Sequence, residues 1–334
     1  TATSAEIVGK RLPPRSQHQF ALLDSARYMR RFLAYWRPDA GVFVESELWP
    51  NMLRQARAQG VPLALINARI SDRSARNWAR FPGTARALLQ AFELIHCQDA
   101  RTALHLDRLG AARARPGVNL KSLAGPLPHD AAELARLRAE IGARPLWLAS
   151  STHPGEEEIM LAAHAHLLQT HPDALLVLIP RHPERAGEIM GKIGATGLGA
   201  AQRSIGARPG PDCAVYLADT LGETGLWYAL APLTCLCGSF TPVGGHNPFE
   251  VAHAGSALLH GPLYANFAEA YPALHAAGAA REVTGDGLAA ALAELMEDQG
   301  ARDGLAKNAR GFATRQDDAL AGIVQDLSNA LGLR

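Results

Sequence analysis

The sequence predicts an α/β protein built from two parallel-sheet domains. Three observations carry that prediction. Short apolar runs alternate with helical stretches rich in Ala, Leu, Arg and Glu along the whole chain. The length, 334 residues, suits two domains, and 48% hydrophobic with 19% charged residues describes a packed protein. The charge also divides. Residues 1–126 hold 19 Lys and Arg against 9 Asp and Glu, a net of +10, and residues 127–334 hold 14 against 23, a net of −9.

The turn-rich Gly125-Pro126-Leu127-Pro128-His129 falls at the charge switch, so the domains are read as 1–126 and 127–334. In the first, strands are expected at residues 20–23, 41–46, 62–67 and 94–98. In the second they are expected at 146–150, 174–180, 214–218, 233–237 and 257–260. Strands of parallel sheets are covered on both faces and read as continuous apolar runs. A basic half joined to an acidic half suggests that the first half meets something anionic: nucleic acid, an acidic lipid surface or a phosphorylated substrate.

The helix over residues 28–37 places Tyr28, Phe32 and Trp36 at i, i+4 and i+8, flanked by Met29 and Leu33. Such a stripe ordinarily faces a core. The alternative is a membrane-surface patch with Arg30, Arg31 and Arg37 toward anionic headgroups.

Polar clusters stand where strands should end, and ligands in open α/β sheets sit beyond those ends. Glu45 and Glu47 share a side if their strand persists that far, and such a pair suits charge stabilisation or proton transfer. Ser150-Ser151-Thr152-His153-Pro154-Gly155 leads into Glu156-Glu157-Glu158, a helix start whose acids answer the helix dipole. Pro180-Arg181 ends another strand, with Arg181 placed for a forked phosphate contact or an ion pair with an acid. Asp219-Thr220-Leu221-Gly222-Glu223 ends a third, and Gly222 would let backbone groups reach a base or ribose. Lys121, in Asn119-Leu120-Lys121, lies near the domain boundary.

The densest cluster follows the run at 233–237. In Gly244-Gly245-His246-Asn247-Pro248-Phe249-Glu250, a glycine pair lets a ligand approach the backbone, and the helix start offers unpaired N–H groups to an anion. Asn247 as N-cap, Pro248 at N1 and Glu250 at N3 also make a capped start that needs no ligand. Cys97, Cys213, Cys235 and Cys237 form no Cys-x-x-Cys pair and read as packing residues of a reduced protein. No His-Glu-x-x-His or similar metal-ligand spacing occurs, and no apolar run approaches 18 residues.

These motifs resemble the Kdo (3-deoxy-D-manno-octulosonic acid) transferases of Gram-negative lipopolysaccharide synthesis. The likeness runs through Glu45-Ser46-Glu47-Leu48-Trp49-Pro50-Asn51, Asn67-Ala68-Arg69-Ile70-Ser71, Asn119-Leu120-Lys121, Ser151-Thr152-His153-Pro154-Gly155-Glu156-Glu157, Pro180-Arg181-His182-Pro183-Glu184-Arg185, Asp219 to Glu223 and Gly244 to Glu250. The motifs stand in the family's order and cover nearly the whole chain.

The resemblance implies a GT-B fold, two Rossmann-like domains facing a cleft. It implies an inverting transfer of Kdo from CMP-Kdo to a lipid A precursor, with no metal in the active site, no other cofactor and no nucleic-acid partner. Pro180, Arg181, Leu221, Gly222, Glu223, Asn247, Pro248, Phe249 and Glu250 would hold CMP. Glu45 and Lys121 match residues that stabilise the transition state. The phosphorylated glycolipid acceptor would account for the basic half, at an anionic membrane surface on the cytoplasmic face of the inner membrane. The last helix would pack back on the first domain.

The family begins with a membrane anchor and a first strand ending in a Ser-Val-Gly-Glu-like motif whose glutamate is the proposed general base. Neither is matched here, so the chain reads as starting at the family's second β-α unit, peripheral and without that base. Cys237 stands where the family carries Gly, which is tolerable if its side chain points inward. Two alternatives remain: a GT-B-like nucleotide-sugar epimerase, and a non-catalytic module that binds CMP or acidic lipid.

Overall fold

The computed structural model describes residues 8–9, 12–117, 119–123, 125–314 and 317–333, and the side chains of Lys121, Ser122 and residues 317–319 lie outside that description. Thr1-Ala2-Thr3-Ser4-Ala5-Glu6, whose sequence reads as a strand end running into a helix N-cap, also lies outside it. The chain divides into two compact units, Thr1–Asn119 with Gly322–Arg334, and Leu120–Ala321.

The first unit holds β1 (Gly41–Val44), β2 (Leu63–Ala68), β3 (Leu94–Cys97) and β4 (Ala114–Pro116), ordered β1-β2-β3-β4 and all parallel. Its core gathers Leu53, Leu63, Leu65, Phe92 and Ile95. On the other side, Leu331, with Leu327 and Ala330, packs against Ala64 and Leu94. Asp326 of the last helix, Asp317–Leu331, also meets His96 of β3 at 2.9 Å.

Three expectations for this unit are corrected. Residues 20–23 form no strand. The run at 41–46 ends at Val44, because Glu45 takes a left-handed backbone (φ 65), so Glu45 and Glu47 do not share a strand face. In the helix Ala26–Trp36 the buried residues are Met29 and Leu33, whereas Tyr28, Tyr35 and Trp36 are exposed. Phe32, the middle of the stripe, is half-buried and packs against the core, while Tyr28 and Trp36 at its ends face outward with exposed Arg30, Arg31 and Arg37.

The second unit holds β5 (Leu146–Thr152), β6 (Leu175–Pro180), β7 (Ala200–Gln202), β8 (Val215–Leu217), β9 (Leu233–Leu236), β10 (Ala257–His260) and β11 (Arg281–Glu282). Their order is β11-β10-β9-β5-β6-β8-β7, parallel throughout. Alternate residues feed two cores. Leu146 and Leu148 of β5 join Leu175, Val177 and Tyr216 on one side. Trp147 and Ala149 join Leu176, Leu178, Val215, Cys235 and Cys237 on the other. Burial on both faces explains the unbroken apolar runs. All four cysteines are buried thiols, and Cys237 points into this core.

Candidate functional site

From β5 the strand order runs one way through β6, β8 and β7, and the other way through β9, β10 and β11. Chain segments leaving β5 and β9 therefore depart in opposite directions. Such a switch point is where an open α/β sheet admits ligands, beyond the strands' carboxyl ends.

The end of β5 is irregular. Its pairing with β6 shifts between Ser150 and Thr152, and Ser151 has a left-handed backbone at φ 60. Departures of this kind cluster at functional sites. The chain then passes through His153, Pro154 and Gly155 (φ 92) into the helix Glu156–Leu167. Gly155 has no side chain to cap that helix, and Glu156 turns back to the residue before the turn. Its carboxylate accepts the backbone N–H of His153 at 3.0 Å, while Glu156 N–H donates to the His153 carbonyl at 2.9 Å, which closes the turn at both ends. The same carboxylate accepts the N–H of Gly238 at 2.7 Å and of Phe240 at 2.9 Å. Buried Glu156 thus ties the loop after β5 to the loop after β9.

Glu157 is also buried, paired with Arg185 at 2.7 Å and Lys192 at 3.3 Å, and Glu158 meets Lys192 at 2.9 Å. The expectation that these acids only answer the helix dipole is therefore corrected.

After β9, Gly238 is required twice over. Its φ is 72, and a Cβ there would lie 2.6 Å from Cδ2 of His246. Gly244 and Gly245 also have positive φ, 100 and 81, but the space beside them is filled by Asn266 and Tyr264. The glycine pair thus admits the protein's own chain rather than opening a path to a ligand. Nothing stands within 4 Å of where a Cβ of Gly222 would be.

The loops bring His153 and His246 together. Their Nε2 atoms are 2.9 Å apart and the rings lie nearly parallel, at 10°. His182 stands edge-on to His153 at 5.9 Å between ring centres. Burial lowers the basicity of both paired rings, that of His246 to about 4, and the nearby charges of Arg181 and His182 act in the same direction.

Pro180 ends β6, and Arg181 donates its backbone N–H to the Thr152 carbonyl at 3.0 Å. Its guanidinium is exposed and has no ion-pair partner among the described residues. The side-chain hydroxyls of Thr152 and Thr241 are buried and unpartnered among those residues.

Asn247 caps the helix Pro248–Ala254. Its Oδ1 accepts from Phe249 N–H at 3.1 Å, and its Nδ2 donates to Glu250 at 3.2 Å. Pro248 and Phe249 are buried. Glu250 lines a cavity of about 110 Å³ with Leu127, Gly225, Tyr228 and His253. Burial raises its pKa, against the opposing pull of Asn247 and of the Arg181 charge. Arg181 therefore feels Glu250, His153 and His246 at once.

Leu221 is 85% exposed. Glu223 is held by Arg203 at 2.6 and 3.0 Å and by Thr220. Arg203 also meets buried Glu133 at 2.6 Å and stacks over Trp227. The turn Leu120–Leu123, which carries Lys121, packs against the helix Pro248–Ala254. Glu45 stands in the other unit, just after β1. Among the described residues no group of three or more His, Cys, Asp or Glu is arranged to hold a metal, and no helix is long and apolar enough to cross a membrane.

The family model described as 3-Deoxy-D-manno-octulosonic-acid transferase (kdotransferase) matches residues 1–123. The transferase of that name from Bordetella pertussis is 36% identical over 315 residues, covering 91% of this chain and 72% of that protein. The Rickettsia felis transferase is 34% identical over 262 residues, 78% of this chain and 56% of that protein. This chain thus spans little more than half the length of that relative. The solved C-terminal CMP-Kdo binding domain of WaaA from Acinetobacter baumannii aligns with TM-score 0.52 at 28% identity, covering 54% of this chain and 95% of that domain. Anabaena Alr3699/HepE in complex with UDP aligns with TM-score 0.58 over 91% of this chain and 82% of that one, at 14% identity that shows the fold alone, GT-B. Shared sequence with the Bordetella and Rickettsia proteins and the common fold together establish that the chain belongs to the 3-deoxy-D-manno-octulosonic acid (Kdo) transferase family.

Proposed function

We propose that this chain transfers Kdo from CMP-Kdo to a lipid A precursor, with inversion at the sugar, in lipopolysaccharide synthesis. The observation that carries the reading is Arg181, an exposed cation without an ion-pair partner among the described residues, electrostatically coupled to Glu250 at a topological switch point. A guanidinium so placed suits a phosphate. In this reading Pro180, Arg181, Leu221, Gly222, Glu223, Asn247, Pro248, Phe249 and Glu250 contact CMP. Glu250 accepts hydrogen bonds from ribose hydroxyls. Departure of CMP leaves an oxocarbenium-like sugar and a growing phosphate charge. Glu45 favours the cationic centre, and Lys121 and Arg181 favour the phosphate.

The acceptor is a phosphorylated glycolipid at the cytoplasmic face of the inner membrane, met by the basic residues 1–126. The exposed Tyr28, Tyr35 and Trp36 beside Arg31, lining an open groove of about 640 Å³, support a peripheral contact with anionic lipid.

Calorimetry with CMP and UMP tests the donor. CMP should bind more tightly, and Arg181→Ala and Glu250→Ala should each weaken it about tenfold or more. Preference for UMP would favour a nucleotide-sugar epimerase, and unchanged affinity in both variants would remove the site assignment.

A further inference from the structure

We infer that His153 and His246 form one proton-sharing unit that contacts the phosphate of the bound nucleotide and takes up a proton as the phosphate dianion docks, an inference that rests on the CMP reading above. Two imidazole Nε2 atoms 2.9 Å apart can bond only through one shared proton, donated by one ring to the bare nitrogen of the other. In the neutral pair the accepting ring then carries its proton on Nδ1, and the donating ring has a bare Nδ1. The pair thus presents one outward donor. Adding one proton gives it two outward Nδ1–H donors and a positive charge. Neither Nδ1 has a hydrogen-bond partner among the described residues.

The charges facing the pair decide its resting state. Arg181 and His182 oppose a proton on either ring, and Glu156 and Glu157 favour one on His153. Both carboxylates are already engaged, Glu156 by three backbone N–H groups and Glu157 by Arg185 and Lys192. Burial and the neighbouring cations therefore keep the empty pair neutral. A phosphate beside Arg181 reverses the balance, because it cancels the arginine's charge and adds its own.

A nucleotide-sugar phosphodiester carries one negative charge and free CMP near neutrality carries close to two. The unit consequently discriminates by phosphate charge and favours the monophosphate that the transfer releases. Glu156 is its positioning residue. It fixes the backbone of His153 and of Gly238, and Gly238 leaves the space that His246 fills.

The test is calorimetry of CMP binding to the full chain at pH 7 in buffers of different ionisation enthalpy, which counts protons taken up. Wild type should take up more protons than His246→Gln, and the phosphate's own titration cancels in the difference. His153→Gln should also take up fewer protons than wild type, because the remaining ring has no neutral imidazole nitrogen to accept the hydrogen bond of its added N–H. Each variant should bind CMP about tenfold more weakly, as expected on losing a charge-assisted contact. Cytidine, which lacks the phosphate, should bind all three proteins equally.

Equal proton uptake in wild type and both variants would overturn the inference while leaving CMP binding intact. An equal loss for cytidine would also overturn it, by showing that the pair only supports the loop. Failure of wild type to bind CMP would overturn the nucleotide reading and this inference with it.

Discussion

Replacing Glu156 by Gln exchanges one carboxylate oxygen for an NH₂ group, removes one negative charge and tests how the two loops of the site are joined. The carboxylate is buried, and its two oxygens accept three backbone N–H groups: His153 and Gly238 on Oε2, Phe240 on Oε1. A glutamine side chain keeps only one oxygen. Its best orientation leaves the amide oxygen toward His153 and Gly238 and turns its NH₂ toward Phe240. One charge-assisted bond is then lost, one N–H faces another donor, and the remaining bonds become neutral. Charged hydrogen bonds contribute about 1.5–3 kcal/mol and an orphaned donor costs about 1–3 kcal/mol, so the net loss should be about 3 kcal/mol. For a unit of roughly two hundred residues that lowers Tm by about 6–12 °C. Thermal unfolding followed by circular dichroism measures it, and CMP calorimetry below the transition should show weaker binding because the histidine pair loses its frame. A Tm within about 1 °C of wild type, with unchanged CMP affinity, would refute the claim that this carboxylate joins the loops.

Gly238→Ala puts a methyl carbon where His246 stands and a side chain on a left-handed backbone, so stability should fall by about 1–2 kcal/mol and CMP affinity by about tenfold. Unchanged binding would show that His246 has room to move. Arg185→Leu leaves buried Glu157 with Lys192 as its remaining partner and should cost about 3 kcal/mol in denaturant unfolding, much of it recovered by adding Glu157→Leu. A single variant within about 0.5 kcal/mol of wild type would contradict that. Glu250 has its pKa raised by burial above the ordinary 4.5. A raised carboxyl contributes most to stability when protonated, and that contribution is lost as pH rises through its folded value. Glu250→Gln should therefore raise Tm at pH 7.5, with the gain disappearing by pH 4, while CMP binding weakens. No gain at pH 7.5 would contradict the burial argument.

The long, doubly covered strands were legible because burial on both faces leaves an apolar run with no ambiguity of side. β4, β7 and β11 are edge strands of two or three residues, and Ala114–Pro116, Ala200–Gln202 and Arg281–Glu282 carry no such run. Residues 20–23 are apolar yet form no strand, and Phe20 and Leu23 are exposed. Local helix-start chemistry was legible as well, since Asn247 and Pro248 cap their helix from within a few residues.

What escaped was the part of the site that depends on distance along the chain. Glu156 had a sufficient local role at its helix start, and its partners Gly238 and Phe240 lie 82 and 84 residues away. His153 and His246 are separated by 93 residues, and each alone sits in a turn that needs no histidine. His153 directly follows β5, but His246 lies ten residues beyond the end of β9, beside the N-cap Asn247, so position along the strands does not pair them. The aromatic stripe of Ala26–Trp36 divides between the two readings, because Met29 and Leu33, one residue along, centre the buried face, so that Phe32 reaches the core and Tyr28 and Trp36 do not.

A crystal structure of the chain with CMP would locate the nucleotide outright. The phosphate should lie beyond the carboxyl ends of β5 and β9, within hydrogen-bond reach of the Arg181 guanidinium and of an Nδ1 of His153 or His246, with the ribose toward Glu250. CMP bound away from Arg181, or seated there with both histidine rings turned from the phosphate, would contradict it.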